Sequence, residues 1–336
     1  MIDLQSNTLD SFCRQHGIEP PFKKERIKAG RNSDVWRLFN TKGQWILKNY
    51  YYKPGDPRDR LASEFGFLSF LSEQEVLNVP DPIGKDPQFN RGLYSFLPGE
   101  RPDKIETWHI TLATDFVKSI NQHRKKNAAQ RIPSAAEACF SIKDHLEFTQ
   151  RRIQRLIKLV PKLEIEHNAK IFVKDKLIPA WKRIKENVEQ DLRLRKNGIT
   201  INESDRILSP SDFGFHNSLQ HGDRLFFVDF EYAGWDDPAK LICDFTCQPE
   251  LPASKIQAKQ FMEETITYFT HSESINYRVI RLLPVHRIKW CCILLNEFIA
   301  EDRQRRLHAG CNEEGLLEIQ LSKTKLYFYE HLSNYL

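Results

Sequence analysis

The sequence predicts an α+β fold with two lobes, a small β-rich amino-terminal lobe and a larger, mainly helical carboxy-terminal lobe. Extended apolar runs and polar turns fill the first third of the chain, and amphipathic helical patterns dominate from Trp108 onward. A short segment of strand and loop, 206–230, interrupts these helices. We place the lobes at residues 1–98 and 99–336, with a helical insertion at about 101–205.

The composition is that of an ordinary globular protein. Hydrophobic residues make up 40% and charged residues 28% of the 336 residues, which excludes a disordered chain, a collagen-like chain and a disulfide scaffold. A formal net charge of +5 is too small to indicate a nucleic-acid partner. Apolar stretches such as 290–295 are far shorter than the roughly 20 residues that span a bilayer. The start of the chain has no secretory pattern, so we expect a cytoplasmic protein without a membrane partner.

The seven cysteines are scattered and form no pair of Cys-x-x-Cys units, so neither a disulfide framework nor a zinc site is indicated. Cys243 and Cys247 would share one face of a helix, but the sequence offers them no metal-binding partners. We interpret the cysteines as small, buried hydrophobic residues.

The first third reads as strands and short turns. Two extended runs, Glu25–Leu38 and Gln44–Tyr51, are separated by the polar sequence Asn40-Thr41-Lys42-Gly43, which favours a β-hairpin. Leu61–Leu71 follows with apolar residues at helical spacing. Residues 92–97 favour one more strand, which Pro98-Gly99 would end.

Helical patterns dominate the rest of the chain. The segments 141–160 and 178–192 each carry an apolar stripe beside basic faces, so we expect the two helices to pack together. We interpret their basic runs, Arg151-Arg152 and 193–196, as solvated helix faces, with an anion-binding surface as the alternative. Amphipathic helices return from about residue 254.

The segment that interrupts the helices carries the candidate chemistry. Asp212 and Asn217 lie five residues apart with Gly214 between them, and Asp229 ends a strand-like run twelve residues further on. One carboxylate could orient and deprotonate a hydroxyl group, while the asparagine oxygen and the other carboxylate hold Mg²⁺. Asp212 alone could be a helix N-cap or turn residue, but the three residues together favour catalysis.

The D-x-x-x-x-N spacing of Asp212 and Asn217, followed by Asp229, resembles the catalytic loop and metal-binding aspartate of protein kinases. More closely, these residues and the segment 228–234 resemble the aminoglycoside phosphotransferase and choline kinase superfamily, whose loop usually reads H-G-D-x-x-x-x-N. The resemblance spans roughly residues 25–245 and implies a protein-kinase-like fold.

The resemblance also implies a nucleotide site in the amino-terminal lobe. Lys48 would end the third strand and hold the nucleotide, and Glu64, which borders the buried face of its helix, would pair with it. Taken alone, either residue could be a solvated surface side chain. The other cofactor-binding residues implied are Gly30, Asn32 and Ser33 of a phosphate-covering loop and Phe96 of an interlobe hinge that offers backbone groups to adenine.

The sequence departs from the family pattern in the catalytic loop, and it departs from protein kinases elsewhere. Pro210 and Ser211 replace the usual His-Gly, so the histidine that supports the loop is missing. Glu231 stands where protein kinases have the glycine of D-F-G, and the usual activation segment is absent, which argues against an ordinary protein kinase. His216 could act as an acid or base, or pack the loop beside the metal ligand.

An acceptor site is harder to place. Aromatic stacking and carboxylate contacts could bind a cation or a sugar, although the tryptophans concerned could simply pack in the core. The candidates are Trp235, Asp236, Trp290 and Glu297.

We therefore predict an ATP- and Mg²⁺-dependent kinase that transfers the γ-phosphoryl group to a hydroxyl of a small molecule, such as a sugar, an amino alcohol or an aminoglycoside. Lys48, positioned by Glu64, would hold the α- and β-phosphates, Asn217 and Asp229 would bind Mg²⁺, and Asp212 would take the hydroxyl proton. The alternative is a nucleotide-binding pseudokinase that acts as a regulatory or scaffold module, and a protein kinase is a weaker rival. The sequence leaves the oligomeric state open.

Overall fold

The structure is a computed structural model, and it describes residues 2–27, 33–56, 58–194, 200–308, 310 and 314–336. Gly30 and Asn32, predicted in the phosphate-covering loop, lie outside these ranges.

The amino-terminal part of the chain forms an antiparallel sheet with a helix on each side. The strands run in the order β1-β2-β3-β5-β4, and each neighbouring pair is antiparallel. The elements are α1 (Ile2–Gln15), β1 (Lys23–Ile27), β2 (Ser33–Asn40), β3 (Gly43–Tyr50), α2 (Arg60–Glu73), β4 (Pro82–Asp86) and β5 (Arg91–Ser95).

The predicted β-hairpin is confirmed. Asn40 pairs with Gly43 across a turn of two residues, and the Asn40 side-chain oxygen accepts hydrogen bonds from the backbone N–H groups of Lys42 and Gly43 at 2.8 and 3.2 Å. An asparagine that bonds to the backbone ahead of it stabilises such a turn. The resulting register places Val35 opposite Lys48 in the middle of the sheet.

Helix α1 was not predicted, since the sequence analysis placed only strands, turns and the helix at Leu61–Leu71 in the first third. Leu9, Phe12 and Cys13 lie at helical spacing and are buried, together with Leu47 of β3. Their i, i+3, i+4 pattern was the available signal. Helix α1 therefore covers one face of the sheet. Helix α2 contacts β4 and β5, and its buried side chains belong to the main hydrophobic core.

The remainder of the described chain is mainly helical, with short strand pairs. Strand β6 pairs with β9, and β7 pairs with β8. The elements are α3 (Thr107–Gln122), α4 (Ile142–Ile157), α5 (Glu164–Phe172), α6 (Ile178–Leu194), β6 (Ile207–Ser209), β7 (Ser218–His221), β8 (Arg224–Phe227), β9 (Gly234–Asp236), α7 (Pro238–Cys247), α8 (Lys255–Tyr268), α9 (Ser272–Leu294), α10 (Ala300–His308) and α11 (Leu316–His331).

Helix α9 is the central element of this part, and it packs against α4, α6, α7, α8 and α11. The helices α4 and α6 were expected to pack together. They meet where Trp181 Nε1 donates a hydrogen bond to Gln150 Oε1 at 2.8 Å, but both also pack on α9. An apolar stripe predicts that a helix face is buried, and it does not specify the partner.

The six described cysteines are free and buried, as predicted. Within the described ranges, no helix combines the length and the apolar character that crossing a membrane requires.

A buried ion pair joins α7 to α9 close to the candidate site. Asp237 caps the amino terminus of α7 by accepting a hydrogen bond from Ala239 N at 2.8 Å, and it binds Arg278 of α9 through two contacts of 2.9 Å. Burial alone would raise the pKa of the Asp237 carboxyl, but His145 and Arg278 lower it to about 2. The pair therefore stays ionised at neutral pH.

We predict that Asp237→Asn lowers the free energy of unfolding by about 3–5 kcal/mol at pH 7, because the substitution leaves the Arg278 charge buried without a counterion. The folded-state pKa of Asp237 lies below the ordinary value of about 3.9. In the wild type, the contribution of ionised Asp237 to the free energy of unfolding is thus complete above that value, and it is lost as the pH falls through about 2. Denaturant unfolding between pH 2 and pH 7 measures the difference.

The control is Glu147→Gln, which breaks the exposed pair of Lys143 and Glu147 on α4. Its effect should stay below about 1 kcal/mol. A variant Asp237→Asn that is as stable as the wild type at pH 7 would contradict the prediction.

Candidate active site

Asp212 lies on the loop between β6 and β7, and its position is fixed by the burial of two phenylalanines that follow it in the loop. Phe213 and Phe215 are 3% and 0% exposed, and their rings contact the ring of Phe245 on α7 at centroid distances of 5.8 and 5.4 Å. Because these two side chains are fixed in the core, the polar residues beside them, Asp212 and His216, are left on the side of the loop that lines a cavity. Asp212 accordingly keeps 35% of its side chain exposed.

Ser211 occupies the position at which the family pattern has glycine, and it adopts a left-handed backbone conformation with φ of +68°. This conformation explains why glycine suits the position. Here the Ser211 N–H donates to Ser209 Oγ at 3.1 Å, and the next turn is closed by the bond from Phe213 N to Ser211 O at 2.7 Å. The loop therefore keeps its turn without the His-Gly pair.

The hairpin of β7 and β8 brings Asn217 and Asp229 together. Ser218 pairs with Phe227, and Val228 N donates to Asn217 O at 3.0 Å. The two candidate metal ligands thus lie at the same end of the hairpin. Asp229 also has a left-handed backbone conformation, with φ of +70°. Such conformations in residues other than glycine cluster at functional sites.

Lys48 of β3 joins the amino-terminal sheet to the loop after β8. Its ammonium group lies 2.6 Å from Glu64 Oε2 and 2.8 Å from Asp229 Oδ1. Glu64 also accepts hydrogen bonds from the Tyr50 hydroxyl at 2.7 Å and from Phe230 N at 3.3 Å. One glutamate of α2 therefore binds both β3 and the segment that carries Asp229.

The charge of Lys48 is maintained in this buried position. Burial alone would lower the pKa of its ammonium group, but the carboxylates of Asp229 and Glu64 outweigh burial and hold the pKa well above its ordinary value. Lys48 is consequently a cation throughout the physiological pH range, which suits a group that would face phosphate oxygens.

Asp212 is held by two neighbours on its own loop. His216 Nε2 lies 3.3 Å from Asp212 Oδ1, and Asn217 Nδ2 donates to the Asp212 backbone oxygen at 2.9 Å. Burial would raise the pKa of the Asp212 carboxyl, but His216 outweighs it and the pKa falls below its ordinary value. Asp212 is therefore ionised at neutral pH and able to accept a proton as a hydroxyl reacts.

Asp212, Asn217 and Asp229 all line one cavity of about 900 Å³. A cavity of this size can hold a ligand as large as a nucleotide or a drug molecule. Lys48 and Glu64 are not among its lining residues, and they reach it through Asp229, which contacts Lys48 directly.

The remaining predicted site residues have different positions. Ser33 donates a hydrogen bond to Glu231 Oε2 at 3.0 Å, which ties the start of β2 to the segment after Asp229. Phe96 is partly buried, and its ring lies against the guanidinium group of Arg37 at 4.9 Å. The structure does not bring Phe96 into the cavity that holds Asp212.

The four candidates for an acceptor pocket do not form one group. Of these, Trp290 alone is among the described residues that line the cavity. The other three make structural contacts: Trp235 Nε1 bonds to Ala129 O at 3.1 Å, Asp236 pairs with Lys240 at 2.6 Å, and Glu297 pairs with Arg306 at 2.7 Å.

Sequence reasoning missed a pair of tyrosines behind Glu64. The hydroxyl groups of Tyr50 and Tyr94 are hydrogen-bonded at 2.7 Å, and Tyr50 in turn bonds to Glu64. Tyr50 follows Lys48 by two residues, so both side chains lie on the same face of β3. That spacing was the available signal. Tyr94 lies on β5 opposite Ile46, a pairing that only the sheet order reveals.

Comparison with known proteins assigns the chain to a family. Residues 24–246 match the model of the phosphotransferase enzyme family, which covers well over half of the chain. The chain therefore belongs to the phosphotransferase enzyme family, and it is a phosphotransferase that acts on a hydroxyl acceptor. No curated protein sequence shows significant similarity to it.

Solved structures share the fold at low sequence identity. A spectinomycin phosphotransferase in complex with ADP and spectinomycin is 11% identical over 94% of this chain and 98% of its own, with a TM-score of 0.62. An ethanolamine kinase from Plasmodium vivax is 14% identical over 94% and 84%, with a TM-score of 0.56. A choline kinase from Cryptosporidium parvum Iowa II is 13% identical over 98% of each chain, with a TM-score of 0.54. The predicted family and two-lobed, kinase-like fold are confirmed.

We predict that Lys48→Met destabilises the protein by about 3 kcal/mol or more at pH 8, because Glu64 and Asp229 then face each other without a cation. In the wild type, the raised pKa of Lys48 keeps its contribution to stability complete below its ordinary value of about 10.4, so the Lys48 contribution does not change across neutral pH. In the variant, stability falls more steeply as the pH rises, because Glu64 loses the cation that offsets the effect of burial on the pKa of its carboxyl. Thermal unfolding from pH 5 to pH 8 measures how stability depends on pH in the wild type and in the variant.

The matched control is the double variant Lys48→Met with Glu64→Gln. It removes one of the two facing charges, so its pH dependence should be weaker than that of Lys48→Met. A single variant with a flat profile would show that the carboxylates do not depend on Lys48.

Proposed function

We propose that the protein transfers the γ-phosphoryl group of ATP to a hydroxyl group of a small molecule, with Mg²⁺ as cofactor. The observation that carries the proposal is the joint position of Asp212, Asn217 and Asp229 on one cavity, with the Lys48–Glu64 pair in contact with Asp229. The ADP bound to the structurally similar spectinomycin phosphotransferase supports an adenine nucleotide as donor.

The donor set fits Mg²⁺. The Asn217 amide nitrogen donates to the Asp212 backbone, which leaves the amide oxygen as the acceptor, and Asp229 contributes a carboxylate. Both are hard oxygen ligands of the kind that Mg²⁺ prefers. No cluster of three or more His, Cys, Asp and Glu that could hold a metal occurs in the described part of the chain. Two protein ligands suffice because Mg²⁺ usually completes its shell with phosphate and water.

The residues divide the work of phosphoryl transfer. Asp212, held by His216, would orient the acceptor hydroxyl and take its proton as oxygen bonds to the γ-phosphorus and the bond to the leaving ADP oxygen breaks. Lys48, held by Glu64, would bind the phosphates of the donor and stabilise the leaving charge. Mg²⁺, when bound by Asn217 and Asp229, supplies charge neutralisation on the phosphate oxygens.

The pseudokinase alternative rests on the missing His-Gly pair. The turn at Ser211 and the contact between His216 and Asp212 speak against it, because the loop keeps its shape and the aspartate keeps a supporting histidine. We propose the same boundary between the two lobes as the sequence analysis, between residues 98 and 99, with the nucleotide-binding lobe before it and the acceptor lobe after it.

We infer a cytoplasmic protein, since ATP is the proposed donor.

We predict that Asp212→Asn lowers kcat by at least about 100-fold, because the amide cannot accept the hydroxyl proton. The affinity for ATP and the melting temperature should stay within error of the wild type. Turnover is measured as acceptor-dependent release of ADP. The control is Asp223→Asn, an exposed aspartate in the turn between β7 and β8. Unchanged turnover in folded Asp212→Asn protein would remove Asp212 from the mechanism.

We predict that calorimetry detects ATP binding that depends on Mg²⁺ in the wild type, and that Asp229→Ala weakens it at least tenfold, about 1.4 kcal/mol. The physical reason is the loss of a carboxylate ligand to the metal. Asp223→Ala is the matched control, since it removes an aspartate outside the cavity. Absence of binding in the wild type with and without Mg²⁺ would refute the kinase mechanism.

A further inference from the structure

The cavity has an excess of basic side chains. Nine lysines and arginines and eight aspartates and glutamates are among the described residues that line it. Asp212 and Asp229 have roles in proton and metal binding under the proposed function. Against the remaining six carboxylates, the nine cations leave a surplus of positive charge for the ligand to meet.

Most of the acidic side chains in the cavity wall already have basic partners. Asp244 is buried and contacts two cations, Lys289 and, at 3.5 Å, Lys240, together with the ring of His286 at 2.9 Å. The other pairs are Glu137 with Arg152 at 2.5 Å, Asp302 with Arg155 at 2.6 Å, Asp56 with Arg58 at 2.8 Å, and Glu301 with Lys53 at 3.4 Å. Little acidic character therefore remains for a cationic acceptor.

Three of the four Phe, Tyr and Trp side chains that line the cavity already have a cation beside the ring; the fourth is Tyr51. A cation is attracted to the face of an aromatic ring within about 6 Å of its centre. Each of the following lining rings has such a cation from the chain itself: Phe148 with Arg151 at 4.3 Å, Tyr232 with Arg60 at 6.0 Å, and Trp290 with Lys289 at 5.9 Å. A quaternary or primary amine would meet like charges at all three.

Unpaired donors remain in the same wall. Arg101 and Arg151 form no ion pair with any residue in the described ranges, and both are exposed at the cavity. The Nε atom of Arg152 is buried without a hydrogen-bond partner, and so is the Nε1 atom of Trp290. Each of these groups donates hydrogen bonds and accepts none. Their natural complement is a ligand group with several acceptor oxygens.

We propose, on the basis of the proposed function, that the acceptor substrate carries an anionic oxygen group, a carboxylate or a phosphate, in addition to the hydroxyl that is phosphorylated. Arg101 and Arg151 bind the anionic group, Arg152 lies next to Arg151 on α4 in the same cavity wall, and the hydroxyl lies at Asp212 on the same cavity. Arginine is suited to this role because its planar group can form two parallel bonds to a carboxylate or phosphate.

The first experiment compares matched acceptors in an assay of ADP release with ATP and Mg²⁺. One series is glucose, glucosamine, glucuronate and glucose 6-phosphate; the other is glycerol, 3-amino-1,2-propanediol, glycerate and glycerol 3-phosphate. The expected result is that kcat/KM in a series is at least about tenfold higher for an anionic member than for the neutral or amino member. The carboxylate and phosphate members then distinguish the two sources of anionic charge.

The second experiment tests the arginines. In the double variant Arg101→Ala with Arg151→Ala, KM for the preferred anionic acceptor should rise about tenfold or more, while KM for ATP stays unchanged. The control is Lys143→Ala, which removes an exposed cation from α4 outside the cavity and should leave both KM values unchanged. A rise in KM for ATP alone would assign the arginines to the nucleotide and overturn the proposal.

Measurement of ATP binding by calorimetry distinguishes failure of the acceptor proposal from failure of the proposed kinase function. If ATP binds and the neutral or amino members are used at least as well as the anionic ones, the acceptor proposal is wrong and the kinase function stands. If ATP binds and no anionic compound in the panel shifts the melting temperature of the ATP-loaded Asp212→Asn protein, the acceptor proposal is also wrong. If ATP does not bind, the proposed function fails and the acceptor proposal fails with it.

Discussion

The contact of one buried lysine with two carboxylates holds the site together. Lys48 lies 2.6 Å from Glu64 and 2.8 Å from Asp229, and these residues belong to a strand, a helix and a loop that come from distant parts of the chain. A buried ion stays buried only when it is paired. The positions of β3 and α2 relative to the loop after β8 are therefore tied to this contact, and Asp229, the proposed metal ligand, cannot move without leaving the charge of Lys48 less well paired.

The conformation of the loop that carries Asp212 depends on a second constraint, the burial of its phenylalanine side chains. Phe213 and Phe215 pack on α7, which forces the polar residues beside them toward the cavity. The left-handed conformation of Ser211 lets the chain turn before Asp212. Since the His-Gly pair of the family is replaced, a different histidine contacts the aspartate: His216, from within the loop, lies against Asp212. The turn before Asp212 is present without the His-Gly pair.

The charges behind the loop determine what the cavity can accept. Asp244 and Asp237 are buried on α7 and are neutralised by cations of α7 and α9. Since most of the acidic wall residues have basic partners within the protein, our proposal assigns the choice of an anionic ligand to the arginines that form no ion pair in the described part of the chain. From the sequence, the basic run Arg151-Arg152 was interpreted as a solvated helix face, with an anion-binding surface as the alternative. The placement of the run on the cavity favours the second interpretation.

The sequence by itself determined the class of fold and most of the candidate catalytic residues. The D-x-x-x-x-N spacing, the strand before Asp229 and the helical position of Glu64 are local patterns, and local spacing is legible in a sequence. Only the tertiary structure decided which charges meet. Lys48 and Asp229 are 181 residues apart, and Ser33 and Glu231 are 198 apart. Helical and strand periodicity reports which face of an element is buried, but it carries no information on which distant side chain lies opposite.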